Sequence, residues 1–325
     1  MINDTETSPP NRSAADGGGR DGLPSPDQFT LTRRRHWVQW IVALVIVLVA
    51  ADLVHGAATN PRIAWDVVAD YMFDSRILAG LRITLALTAV SQVLATVLGL
   101  LVAVMAMSSN PILIVVSRLY ITIFRSVPTI VQMLFWYYLA AVLPTLPVGL
   151  PFGPSLITFD TNILITQFAA AMMGLALGEA AFLAEYFRGA VLSVPAGQKE
   201  AAAACGLTSF TTFRRVVAPQ AMRVVLPAYG NTLIINLKNT SSVFVIGAGD
   251  LMTRAQLIYS QNFQQIPLLI VVITWYLALV VAMTAVQRRV ERHYARGFAD
   301  SMTSTRHRAK YSEVDSQVGT SGELR

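Results

Sequence analysis

Residues 83–117 read ITLALTAVSQVLATVLGLLVAVMAMSSNPILIVVS, without one Asp, Glu, Lys or Arg. Residues 255–287 are equally free of charge, and residues 126–178 carry only Asp160. A charge at the centre of a bilayer costs roughly 3 kcal/mol or more, so runs of this length mark segments that sit in hydrocarbon. The rest of the composition agrees. Of 325 residues, 54% are hydrophobic and 14% charged, against about a quarter charged in an average soluble domain. The sole cysteine, Cys205, excludes a disulfide scaffold. So apolar a chain is not disordered over its bulk.

Working outward from the first run, the expected fold is an all-α, polytopic membrane protein of about six transmembrane helices. The expected spans are Trp37–Val54, Leu81–Met107, Pro128–Leu143, Ile163–Phe187, Leu226–Ala248 and Pro267–Val286, each near the roughly 20 residues a helix needs. A β-barrel does not fit runs this long and this continuously apolar. Residues 1–36 and 297–325 are polar and read as flexible tails. The apolar stretch at 37–54 follows Arg33-Arg34-Arg35-His36 and is too long for a cleaved signal peptide.

Positive charge orients the chain. With the N-terminus inside, the inner segments hold Arg33–Arg35, Arg118, Arg125, Arg188, Lys199, Arg214, Arg215, Arg223, Arg288, Arg289, Arg292 and Arg296. The outer segments hold only Arg62, Arg76, Arg82 and Arg254. This places both termini in the cytoplasm, and accounts for a net charge of +6 without nucleic acid. Between Asn60 and Arg76 the spacing of Ile63, Val67, Val68, Tyr71 and Met72 predicts a short helix along the interface.

The most informative polar stretch, at 188–223, is RGAVLSVPAGQKEAAAACGLTSFTTFRRVVAPQAMR. Gln198 to Cys205 is alanine-rich and predicts a helix. Gly206 suits the left-handed residue that ends it. Thr208 or Ser209 can cap a second helix, and Pro219 is expected to close that helix near Val217.

Glu200-Ala201-Ala202, Gly206, Val216 and Pro219 resemble the EAA loop of ABC-importer permeases at the same offsets. Four further segments, in order, are similar to the polar amino acid branch of that family, which carries histidine, glutamine, glutamate, arginine and opines. They are Gly80-Leu81-Arg82-Ile83-Thr84; Tyr120 with Phe124-Arg125-Ser126-Val127-Pro128 and Val131-Gln132; Ala180 to Gly189; and Leu226-Pro227, Gly230-Asn231 and Leu237 to Ser242. The resemblance covers about residues 76–295, a permease domain with five core spans, and leaves 37–54 as an extra N-terminal helix. Ser126-Val127, Asn239, Ser242 and Glu179 depart from the family's usual residues.

The resemblance implies a permease subunit of an ATP-driven importer for polar amino acids or related zwitterions, in the bacterial inner membrane. It implies a cytoplasmic ATPase dimer docked on the loop, a second permease chain, and an extracytoplasmic solute-binding protein. No phosphate-binding loop of the Walker type is present in the sequence, so ATP and Mg belong to the partner ATPase and this chain binds no cofactor. A rival reading is a secondary transporter driven by an ion gradient, but no internal repeat supports it. The four histidines are scattered and suggest no metal site.

Ionisable residues in spans are functional candidates by default. Glu179 could meet an ammonium or guanidinium group of the cargo, or bond a neighbouring helix. Lys238, beside Thr240, could hold a carboxylate or form a structural pair. Gln132 and Asn231 could line the path or join helices. Glu185 and Arg188 share a helical face and predict a structural ion pair.

Overall fold

The computed structural model describes residues 37–149 and 155–295; the tails expected at 1–36 and 297–325 lie outside the described residues. The chain divides into Met1–Asn60 and Pro61–Arg325. In the first unit, α1 (Trp37–Thr59) is exposed at every position. A helix apolar on all sides and exposed along its length is what lipid solvates.

The second unit opens with a 3-10 turn, Pro61–Ile63, and α2 (Trp65–Met72). α2 packs on the bundle through Val68, and the Trp275 indole donates to the Met72 carbonyl at 2.9 Å. Asp74 caps α3 (Ser75–Ala106), its carboxylate accepting from the Arg76 amide at 2.8 Å. α3 lies against α8 (Gln167–Leu192), and small residues let the two backbones approach. A Cβ on Gly99 would stand 2.9 Å from the Leu183 Cβ and 3.0 Å from the Ala180 carbonyl. Ala95, Ala180 and Leu183 are fully buried in this contact. The opposite flank of α3 exposes Val93, Val97, Leu101 and Val104.

The expected span Pro128–Leu143 is replaced by α4 (Pro111–Ser126) and α5 (Thr129–Tyr137), bent by 100° at their junction. Pro128 forces the preceding residue out of the helical region, and Val127 is extended at φ −90° and ψ 126°. After α6 (Leu139–Val142) comes an antiparallel hairpin of β1 (Thr145–Gly149) and β2 (Ser155–Asp160), then α7 (Thr161–Leu164). This hairpin is an addition to the expected all-helical chain. Thr161 holds its base, donating from its amide to the Pro144 carbonyl at 3.0 Å.

Beyond α8 lie α9 (Ala196–Ala204) and α10 (Ser209–Thr212). The second helix of this loop does not close at Pro219. It passes through a π-turn, Phe213–Val217, into α11 (Ala218–Asn239). Proline at a helix's first positions forgoes no helical bond, so Pro219 starts α11. A 3-10 segment, Thr240–Ile246, leads to α12 (Leu251–Asn262) and α13 (Gln265–Ala295). Of these helices α1, α3, α8 and α13 are long and apolar enough to cross a membrane, with a fifth if the bent α4–α5 pair counts as one. α11 has 22 residues but carries Arg223, Asn231, Asn236 and Lys238.

Candidate functional site

At one end of the bundle the segment between α8 and α11 forms a compact projection. Its first helix, α9, has six alanines or glycines among nine residues, and Glu200, Ala201, Ala203 and Ala204 are exposed while Ala202 turns inward. Gly206 has φ +73°. Its amide donates to the Ala203 carbonyl at 2.9 Å, and the Leu207 amide to the Ala202 carbonyl at 3.1 Å. This paired arrangement ends a helix with its last carbonyls satisfied. The Thr208 hydroxyl then accepts from the Thr211 amide at 3.3 Å and starts the second helix. Val217 is buried with Ala190, Val194 and Ala221, so the projection is bolted to the ends of both α8 and α11. Val216 is half-buried, and Pro219 is exposed.

Inside the bundle α3 presents Thr84, Thr88, Ser91, Gln92 and Thr96 along one inward face. α11 answers with polar groups. Asn236 donates to the Ser91 hydroxyl at 3.0 Å and to Gln92 Oε1 at 3.1 Å. Thr96 and Tyr229 hydroxyls meet at 3.1 Å. Thr240 and Tyr276 hydroxyls meet at 3.2 Å, and Thr84 accepts from the Leu251 amide at 3.1 Å. A polar seam thus runs up an apolar bundle. Glu179 on α8 is buried to 7% exposure beside Thr232 of α11, and its Oε1 has no partner. The ion pairs Asp74–Arg76 and Glu185–Arg188 lie elsewhere, and among the described residues no cation pairs with Glu179.

The other candidates are spread out. Gln132 is buried under the α4–α5 bend, its amide donating to the Phe124 and Val127 carbonyls at 3.0 and 2.9 Å. It satisfies backbone groups that the break at Pro128 leaves open. Arg188 reaches Glu185 at 2.8 Å near the loop end of α8. Thr240 is buried in the seam, whereas Asn231 and Lys238 lie exposed on the outer face of α11, one above the other two turns apart. The structure therefore brings Glu179 and Thr240 to one seam and leaves Gln132, Asn231 and Lys238 outside it.

Sequence reasoning passed over Ser91, Gln92, Tyr229, Thr232 and Asn236. The signal was present in the opening stretch, where hydroxyl and amide residues recur at helical spacing from Thr84 to Thr96. Among the described residues no three or more His, Cys, Asp or Glu side chains gather where they could hold a metal.

Comparison with known proteins places this geometry. Residues 95–296 match the family model described as "Binding-protein-dependent transport system inner membrane component". The chain is 37% identical over 272 residues to the arginine transport system permease protein ArgU of Corynebacterium glutamicum, covering 83% of this chain and 84% of that protein. It is 33% identical over 177 residues to the glutamine transport system permease protein GlnP of Escherichia coli, covering 54% and 74% of the two. Among solved structures, an amino acid ABC transporter with histidines aligns at TM-score 0.58 and 31% identity, over 67% of this chain and 94% of that one. The inward-facing methionine transporter MetNI, at 24% identity and TM-score 0.51, shares the fold.

Proposed function

The chain belongs to the family of binding-protein-dependent transport system inner membrane components, and from that premise we propose how its loop and its polar seam divide the work of import. It is a multi-pass permease subunit of an ABC importer for amino acids; it catalyses no covalent reaction, and the ATPase is a separate chain. Family membership brings an ATPase and a binding protein as partners.

In the proposed mechanism the end carrying α9 faces the cytoplasm. The exposed alanines of α9 let it seat closely in a groove of the ATPase, with Glu200 as a polar handle. Ala201, Ala202, Gly206, Val216 and Pro219 keep the two short helices at a fixed angle. Two such permease chains, as a homodimer or with a related subunit, flank the path. ATP and Mg are bound by the ATPase dimer, whose closure pushes on α9. That push enters α8 and α11 together, because the loop is packed on both through Ala190, Val194, Val217 and Ala221. This shared anchorage is the observation that carries the reading: one lever grips the two helices that hold the two halves of the Glu179 site.

Glu179 serves in this scheme as the group that meets a positive charge of the cargo at mid-depth. Its burial without a protein cation supports that role, since an intramembrane carboxylate is costly unless something pairs with it. Lys238 and Asn231, exposed on α11, are proposed to face the second permease chain or the path. The test is uptake by proteoliposomes carrying this chain, its ATPase and a loaded binding protein. Glu200→Ala and Gly206→Val are expected to abolish ATP-dependent uptake while this chain still inserts; unchanged uptake defeats the coupling role.

A further inference from the structure

At the end of the bundle remote from α9, α12 begins beside the start of α3 and carries Arg254 on its first turn. The Arg254 Nε is buried and has no hydrogen-bond partner, although the side chain as a whole is partly exposed. A guanidinium nitrogen withdrawn from bulk water is costly unless water or an anion meets it. The acidic group beside it, Asp250, is not that anion. Asp250 Oδ2 accepts from the Met252 amide at 3.1 Å, and Oδ1 accepts from the Thr253 amide at 3.3 Å and from its hydroxyl. Its carboxylate is spent on capping α12.

Two glycines shape the space around the guanidinium. A Cβ on Gly80 would collide with Arg254 Cγ at 2.8 Å, so only glycine lets the arginine stem lie flat on α3. Gly249, with φ +81°, carries no side chain over Nη2, which a Cβ there would meet at 3.6 Å. The fork is therefore pinned at its stem and open at its tip. Next to it starts the polar seam, at Thr84, Thr240 and Tyr276.

We propose that Arg254 receives the α-carboxylate of the incoming amino acid at the far mouth of the path. The proposal rests on the importer reading above. Guanidinium matches carboxylate as a two-pronged donor, and every α-amino acid carries that group whatever its side chain. Arg254 packs at the level of Gly80, whereas Glu179 lies near the level of Thr96 and Tyr229. Sixteen residues of α3 separate the two levels, about 24 Å at 1.5 Å per residue. A single amino acid cannot touch both, so carboxylate capture and recognition of a cationic group are successive stations.

The test uses the purified permease–ATPase complex without binding protein. Binding of arginine, glutamine and histidine is each compared with that of its own carboxamide, which removes only the negative charge. For at least one of the three, the wild-type complex is expected to favour the acid by about tenfold or more, the size of a charge-assisted hydrogen bond. Arg254→Gln should bring acid and amide within about twofold, and Arg254→Lys should fall between, since it keeps charge but loses the fork. The inference is overturned if none of the three acids binds better than its amide in the wild-type complex. It is equally overturned if Arg254→Gln keeps the preference. Either result can stand beside full ATP-dependent uptake, so failure here does not touch the importer assignment.

Discussion

Glu179 is buried within α8 with neither a protein cation nor a full set of donors. If it meets the guanidinium of an arginine cargo, Glu179→Gln removes the charge and keeps the shape. Binding of arginine by the solubilised complex is then expected to weaken by about tenfold or more, while binding of glutamine changes far less. Equal losses for both exclude the side-chain guanidinium as its partner, and no loss for either assigns Glu179 to helix packing. Gly174 makes a different kind of demand. A Cβ there would lie 2.5 Å from Met133 Cγ and 2.9 Å from the Met133 backbone nitrogen. The backbone cannot yield as a flexible side chain does, so Gly174→Ala should destabilise the α5–α8 contact by about 1–3 kcal/mol. A lowered thermal midpoint in detergent would register it. Glu179 was visible in the sequence as a charge inside an apolar run. Its burial next to Thr232 was not, because that depends on where α11 crosses α8. Arg254 looked like an ordinary outer-loop cation, and only the caps that occupy Asp250 show it to be left without its neighbour.

Long apolar, charge-poor runs located α1, α3, α8 and α13, since exclusion of charge from hydrocarbon acts directly on composition. They failed at α4 and α5. Arg118 and Arg125 were read as marking an inner loop, yet they sit on a 16-residue helix. Arg125 lies over the Phe182 ring at 4.9 Å, an arrangement that lets a cation stay near the bundle. The hairpin escaped because Pro147, Gly149, Pro151 and Gly153 break any alternation of polar and apolar residues. The sequence leaves Gln132 open between lining the path and joining helices, because its partners are backbone carbonyls that only a broken helix exposes. Removing it tests the element. Gln132→Leu removes the donor from two partly buried carbonyls, each bond worth about 1 kcal/mol. It should loosen the α4–α5 bend, measurable as faster amide exchange at 124–132 in detergent. Unaltered exchange would show that the bend is held by Pro128 alone.

For the molecule as a whole, the balance of arginines and lysines predicts that the α9 end faces the inside of the cell. Cys205 reports on this directly, being the sole cysteine and exposed beside Gly206. A membrane-impermeant maleimide should label it in inside-out vesicles and not in right-side-out ones. Adding the ATPase should slow that labelling, because the docked groove covers α9. Labelling from the outside would reverse the orientation. The family and the importer function were legible in the sequence because they reside in short, local motifs. The seam was harder to see because it is assembled from α3, α8, α11 and α13, which meet only in the folded bundle. Docking of a partner ATPase on the α9 loop is the central claim. Its most direct test is affinity capture of this chain from native membranes, in wild-type and Gly206→Val forms, with mass-spectrometric identification of the subunits recovered. An ATPase should accompany the wild-type chain and be lost or sharply reduced with the variant, which a left-handed valine strains by about 1–2 kcal/mol. Recovery of the wild-type chain with no ATPase would contradict the account.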